Sequence, residues 1–130
     1  MRVKRLLIVE DEATDVRAAV DVARSLGIDF VDARFSVSEA ENLLKKGLRR
    51  EVALPDAILL DLDLGTDSGF ELMRYWHKTQ RLATIPVIVW SRLDDKRELC
   101  RLLGVNAFVC KDDGAGELRQ ALTGFLQPAA

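Results

Sequence analysis

Ligands for a soft metal are scarce in this chain, which holds two cysteines and one histidine. Cys100 and Cys110 lie inside apolar periodic segments and lack metal-ligand spacing, which argues against a cysteine-built metal site and predicts reduced, buried thiols in a cytoplasmic protein. His77, in a helical segment beside Arg74, Lys78 and Arg81, is read as a surface residue rather than a functional one. A basic stripe is also missing. The 21 acidic and 19 basic residues are scattered and leave a formal charge of −2, so direct nucleic-acid binding is not expected. Long apolar runs are absent too. Leu6 to Val9 is too short for a signal peptide and meets Glu10 and Asp11 at once, and no other stretch could span a bilayer. With no linker, internal repeat or low-complexity tract, the 130 residues read as one domain, 1–130, with a core of about 4–127.

What is present is alternation. Leu6 to Val9, Phe30 to Phe35, Ala57 to Leu62, Ile85 to Ser91 and Ala107 to Cys110 read as strands, mostly in continuous apolar runs, as parallel strands covered on both faces must be. Segments of helical period separate them. The first places Val16, Val20, Ala23 and Leu26 on one face, ending at Gly27, and the second places Ala40, Leu43, Leu44 and Leu48 behind a capping box from Ser36 to Glu39. The third turns Phe70, Met73 and Trp76 inward. The fourth turns Leu99, Leu102 and Leu103 inward behind Asp95 and Glu98, and the fifth turns Leu118, Ala121, Leu122 and Phe125 inward. Five such units predict a doubly wound α/β domain, a five-stranded parallel sheet with helices on both faces, because parallel strands need right-handed crossovers.

In such sheets the ligand crevice lies outside the carboxyl ends of the strands. Glu10 and Asp11 end the first strand, Asp61 the third, Ser91 the fourth and Lys111 the fifth. Any one of these could be a solvated cap; together they describe a site. Carboxylates gathered from Glu10, Asp11 and Asp61 would raise one another's pKa unless a cation were present, and an all-oxygen set favours Mg²⁺. Around an open position, a carboxylate, a hydroxyl and an ammonium suit phosphoryl transfer, with Asp61 as nucleophile, Lys111 neutralising charge and Ser91 donating a hydrogen bond.

From LLIVEDE through LLDLDLGTDSG and VIVWS to FVCKD, the chain resembles the receiver domain of two-component response regulators. That resemblance implies the flavodoxin-like strand order 2-1-3-4-5. It implies Mg²⁺ held by Glu10, Asp11, Asp61 and the backbone carbonyl of Asp63, with Asp61 accepting phosphoryl from the phosphohistidine of a sensor histidine kinase or a histidine phosphotransfer protein. By the same resemblance Ser91 follows the phosphoryl group, Phe108 changes rotamer, and Asp63 and Leu93 flank the water that removes the phosphoryl group. A downstream protein would meet the face built by the fourth helix, fifth strand and fifth helix. A homodimer is left open. No output domain is expected to follow, since the fifth helix is predicted to end near Gln127 with only Pro-Ala-Ala beyond.

Three positions depart from the family pattern. Gly65 stands where proline is usual, Arg92 brings a bulky cation where a small residue commonly follows the switch hydroxyl, and Asp112 replaces a proline after Lys111. A cis Lys111–Asp112 bond is therefore not expected, since a non-proline cis peptide costs roughly 2.5 to 4 kcal/mol. Trp90, alternating with Ser91, is read as packing. An enzyme reading also exists, because Asp61 to Thr66 resembles the DxD signature of haloacid-dehalogenase-like phosphatases, with Ser91, Lys111 and Asp112-Asp113 imitating later motifs. Against it, the signature lies far from the start, lysine and acidic pair are adjacent, there is no room for a cap, and Glu10 and Asp11 would have no role. A constitutive docking module is the third reading, and the complete acidic, hydroxyl and lysine set argues against it.

Overall fold

The computed structural model describes residues 3–65 and 67–126. Five strands, β1 (Arg5–Val9), β2 (Phe30–Arg34), β3 (Ala57–Leu60), β4 (Val87–Ser91) and β5 (Ala107–Cys110), form one parallel sheet in the order β2-β1-β3-β4-β5. This is the expected doubly wound order. Helices α1 (Ala13–Ser25), α2 (Val37–Leu48), α3 (Gly69–Trp76) and α4 (Arg97–Leu102) lie in the four crossovers, and α5 (Ala115–Leu126) follows the last strand. The expected end of α5 near Gln127 lies outside the described residues.

The continuous apolar runs have a direct cause. Leu7 and Val9 of β1, Ile58 and Leu60 of β3, and Val87 and Val89 of β4 pack with α2 and α3 on one side. Their neighbours Leu6, Ile8, Ala57, Leu59, Ile88 and Trp90 pack with α1 and α5 on the other. Period-2 alternation thus delivers apolar residues to the two cores in turn over Leu6–Val9, Ala57–Leu60 and Val87–Trp90. Side chains close the opposite end of the sheet: Asp56 Oδ2 accepts from the backbone N–H of Lys4 and Arg5, both at 2.9 Å, and Asn106 Oδ1 accepts from Val87 at 2.9 Å.

Helix phases differ from expectation in places. In α1 the buried face is Ala19, Val22 and Ala23, leaving Val16, Val20 and Leu26 at its margins. Leu72 joins Met73 and Trp76 under α3, while Phe70 is half-buried. The largest correction is α4. Leu99 and Leu102 are 44 % and 69 % exposed, whereas Cys100 is fully buried and Leu103 half-buried. Cys100 and Leu103 satisfy the same three-residue spacing as Leu99 and Leu102, so periodicity alone could not choose the face. Asp95 and Glu98 do not cap this helix: the Asp94–Lys96 turn precedes α4, its N-cap is Lys96, and Glu98 pairs with Arg101. By contrast, Ser36 Oγ accepts from Glu39 N–H at 3.1 Å and opens α2 as expected. Three strands, β2, β3 and β4, are shorter than the segments expected for them, since Phe35, Leu62 and Ile85 lie outside the ladders, whereas β1 starts one residue earlier, at Arg5.

Candidate functional site

Every chemistry-bearing residue expected at the crevice ends a strand or follows one. Glu10 follows β1, its backbone N–H bonding to Arg34 O, and Asp61 follows β3, its N–H bonding to Val9 O at 3.0 Å. Ser91 closes β4 and Lys111 follows β5. Although polar, Glu10, Asp61, Ser91 and Lys111 are 1 %, 6 %, 0 % and 9 % exposed. Buried charge of this kind persists only when paired. The Lys111 ammonium supplies the pairing, donating to Glu10 Oε2 at 2.5 Å, Asp15 Oδ2 at 2.9 Å and Asp61 Oδ2 at 3.1 Å.

These contacts set the ionisation. Burial pushes the Glu10 carboxyl up and Asp61 beside it adds to the rise, while the hydrogen bond from Lys111 pulls it back, leaving it at about 7. Burial opposes the charge on Lys111, but hydrogen bonds to Glu10 and Asp15 outweigh it and raise its pKa. Burial likewise opposes ionisation of Asp15. Its hydrogen bond from Lys111, with help from Arg92, prevails and holds the carboxyl below the usual range.

Glu10, Asp11 and Asp61 each offer an oxygen within 4.8 Å of the others. Hard oxygen donors on two buried groups and one exposed group fit a divalent cation that keeps part of its water. They border a cleft of about 200 Å³ with Asp15, Asp63, Gly65, Arg92 and Lys111. Asp63 is exposed and begins a two-residue arm, Asp63–Leu64, paired antiparallel with Asp67–Ser68. Its backbone N–H approaches Asp61 Oδ1 at 3.3 Å. Gly65 turns this hairpin at φ +74°, which proline cannot adopt, and a Cβ there would sit 3.3 Å from Asp11 Oδ2. The departure from proline therefore reshapes the wall of the acidic cleft.

A smaller hollow of about 60 Å³ adjoins, lined by Asp61, Asp63, Ser91, Arg92, Leu93 and Lys111. Ser91 Oγ accepts from Leu93 N–H at 3.1 Å, so its own proton is free to be donated. Leu93 is 37 % exposed. Phe108 lies apart from both spaces, half-buried on the edge strand under the Arg97 guanidinium, 4.8 Å from its ring centroid.

Asp15 was not foreseen. It sits in the first turn of α1, at the same sheet edge as Glu10 and Asp11, where the helix dipole alone accounts for a carboxylate. Arg92, flagged only as a bulky cation, pairs with Asp15 at 3.3 Å and Asp112 at 3.7 Å while remaining 58 % exposed in its side chain. Trp90 packs as expected, but its ring also underlies Lys111 Nζ at 5.1 Å. Cys100 and Cys110 are free and buried. His77 is exposed yet anchored, its Nε2 lying 2.8 Å from Leu103 O. No cis peptide occurs among the described residues, in agreement with the expectation for Lys111–Asp112.

Fold and site together define a doubly wound domain whose carboxylates, hydroxyl and ammonium gather at one sheet edge, a donor set suited to a cation and a phosphoryl group. Residues 6–123 match the response regulator receiver domain, and the chain belongs to that family. It is 29 % identical over 117 residues to the transcriptional regulatory protein KdpE of Staphylococcus aureus, covering 88 % of this chain and 46 % of that protein. It is 31 % identical over 115 residues to a protein-glutamate methylesterase/protein-glutamine glutaminase of Archaeoglobus fulgidus, covering 85 % of this chain and 30 % of that one. The chain thus spans less than half the length of either curated relative. Among solved structures, the phosphorylated cyanobacterial phytochrome response regulator RcpA aligns with a TM-score of 0.78 at 30 % identity, covering 93 % of this chain and 89 % of the other. The Mn²⁺-bound response regulator Rcp1 aligns with a TM-score of 0.80 at 26 % identity, covering 98 % and 97 %. The dehalogenase-like phosphatase reading is set aside by the family match.

Proposed function

We propose that this chain, read as one receiver domain over 1–130, is a phosphorylation-dependent switch of a two-component pathway in which Asp61 is the phosphoacceptor. The observation that carries this reading is the buried pairing of Lys111 Nζ with Asp61 Oδ2 at 3.1 Å beside the carboxylates of Glu10 and Asp11. Mg²⁺, held by Glu10, Asp11, Asp61 and the Asp63 carbonyl, would neutralise charge on the transferring phosphoryl oxygens. The chain's own residues do the rest. Lys111 orients the Asp61 carboxylate, one of whose oxygens bonds to phosphorus as the phosphorus–nitrogen bond to a donor histidine breaks. Ser91 donates its proton to a phosphoryl oxygen, and its movement leaves space into which Phe108 turns, shifting a pre-existing equilibrium on the α4–β5–α5 face. Asp63 accepts a hydrogen bond from the hydrolytic water, and Leu93 on the same approach cannot.

The donor is a sensor histidine kinase or a histidine phosphotransfer protein, and the listener is a protein on the α4–β5–α5 face. We read the chain as a switch that performs only its own phosphoryl transfer and loss; the methylesterase activity in one relative's name is that protein's. No helix among the described residues is long and apolar enough to cross a membrane, and the buried thiols favour a cytoplasmic setting. Incubation with a small phosphodonor and Mg²⁺ should add one acid-stable, base-labile phosphoryl group, which Asp61→Ala abolishes. Asp11→Asn should weaken Mg²⁺ binding and slow labelling together. Labelling that survives Asp61→Ala would overturn the assignment.

A further inference from the structure

Lys111 Nζ has three N–H bonds, and Glu10, Asp15 and Asp61 take all of them. A phosphoryl group on Asp61 takes over the contact that Asp61 Oδ2 makes, and a second phosphoryl oxygen can reach this ammonium only by displacing Glu10 or Asp15. Glu10 is ill suited to leave. Its side chain is 2 % exposed, and Oε1 accepts from Glu12 N–H at 3.1 Å. Asp15 stands differently, on the first turn of α1 at the border of the cleft, with its side chain 13 % exposed. The same Oδ2 that takes Lys111 also takes Arg92 Nη1 at 3.3 Å. One carboxylate oxygen therefore bridges the two cations that line the hollow beside Asp61. Asp15 is not one of the carboxylates gathered for a cation.

We propose that Asp15 is an autoinhibitory latch, whose carboxylate occupies Lys111 and Arg92 in place of a phosphoryl group and must be exchanged for one when Asp61 is phosphorylated. The inference rests on Asp61 being the phosphoacceptor. Exchange leaves the pairing of both Lys111 and Arg92 unchanged in number, since phosphoryl oxygens replace the Asp15 carboxylate on each. It also cuts the tie between α1 and the loop that follows Ser91, so the start of α1 is released at the same moment as the switch hydroxyl moves. Arg92, where the family commonly has a small residue, is what makes the latch two-sided in this chain.

Fluoroberyllate, a phosphoryl mimic that binds carboxylate in the presence of Mg²⁺, gives a direct test by isothermal titration. Asp15→Asn removes the competing charge while keeping the side chain's size, and should bind the mimic about tenfold more tightly, a shift of ~1.4 kcal/mol. Asp15→Ala should move in the same direction. Glu12→Gln is the control for charge acting through space, because Glu12 borders the same cleft but accepts nothing from Lys111 or Arg92; it should change affinity far less. Equal gains from Asp15→Asn and Glu12→Gln, or no gain from Asp15→Asn, would overturn the latch. Failure of the unaltered protein to bind the mimic, or binding that persists in Asp61→Ala, would instead overturn the phosphoacceptor reading and the latch with it.

Discussion

Replacing Lys111 with methionine keeps the apolar stem and removes the ammonium, leaving Glu10, Asp15 and Asp61 without their shared partner. An exposed ion pair would be worth ~0–1 kcal/mol. Here Lys111, Glu10 and Asp61 side chains are 3 %, 2 % and 6 % exposed, so the relevant cost is that of stranding buried charge, ~3–5 kcal/mol. Proton uptake limits it. The Glu10 carboxyl already stands at about 7, and Lys111 is among the groups pulling it down. Without the ammonium it rises further and takes a proton instead of standing charged. The sign of the pH dependence follows. A carboxyl whose folded pKa lies above its ordinary 4.5 favours folding when protonated, a contribution complete below 4.5 and lost as pH rises through about 7. Lys111, with its pKa raised above 10.5, stays charged throughout this range in the unaltered protein. The destabilisation by Lys111→Met is therefore greatest at about pH 8.5 and shrinks toward about pH 5.5. Thermal unfolding without metal should show Tm lower by roughly 10 °C at the alkaline end, taking ~3 kcal/mol and a domain of this size. Saturating Mg²⁺ should narrow the gap, because it neutralises the same carboxylates. A gap below ~1 kcal/mol at about pH 8.5, or one that widens on acidification, would refute the reasoning.

Gly69 opens α3 against the backbone of Asp61, where an added Cβ would stand 2.3 Å from Asp61 O and 3.0 Å from Leu62 Cα. Gly69→Ala should cost ~1–3 kcal/mol and slow labelling of Asp61; an unchanged Tm would show that the close approach does not matter. Ser91→Ala should leave Asp61 labelled while the Phe108 ring signal in NMR fails to shift on phosphorylation, and a wild-type shift would break the proposed coupling. Under saturating Mg²⁺, Asp63→Ala should slow loss of the phosphoryl group about tenfold, for one oriented water contact worth ~1.4 kcal/mol. An unchanged or faster rate would leave Asp63 only its backbone carbonyl.

The sheet was legible because two cores demand apolar residues at successive positions over Leu6–Val9, Ala57–Leu60 and Val87–Trp90, a pattern that no half-exposed strand produces. The polar residues that end those strands were legible for the same reason, as interruptions at one edge. Helix faces were less so. Leu99 and Leu102 share their spacing with Cys100 and Leu103, and only packing against the sheet selects between the two stripes. Asp15 was hidden because a carboxylate in the first turn of a helix is explained by the helix dipole alone. Nothing local in the sequence says that it bends back to Lys111, 96 positions away. Arg92 was visible as a departure, but its partners, Asp15 in the first turn of α1 and Asp112 in the turn after β5, are brought together only by the fold.

Chemical location of the phosphoryl group tests the central claim most directly. After transfer from a phosphorylated histidine-containing donor, borohydride reduces an aspartyl phosphate to homoserine, which mass spectrometry of the peptides can place. Homoserine at position 61, formed only with Mg²⁺ and missing from Asp61→Ala, is the expected result. Homoserine at Glu10's neighbour Asp11 or at Asp63, or phosphate retained on Ser91, would contradict it.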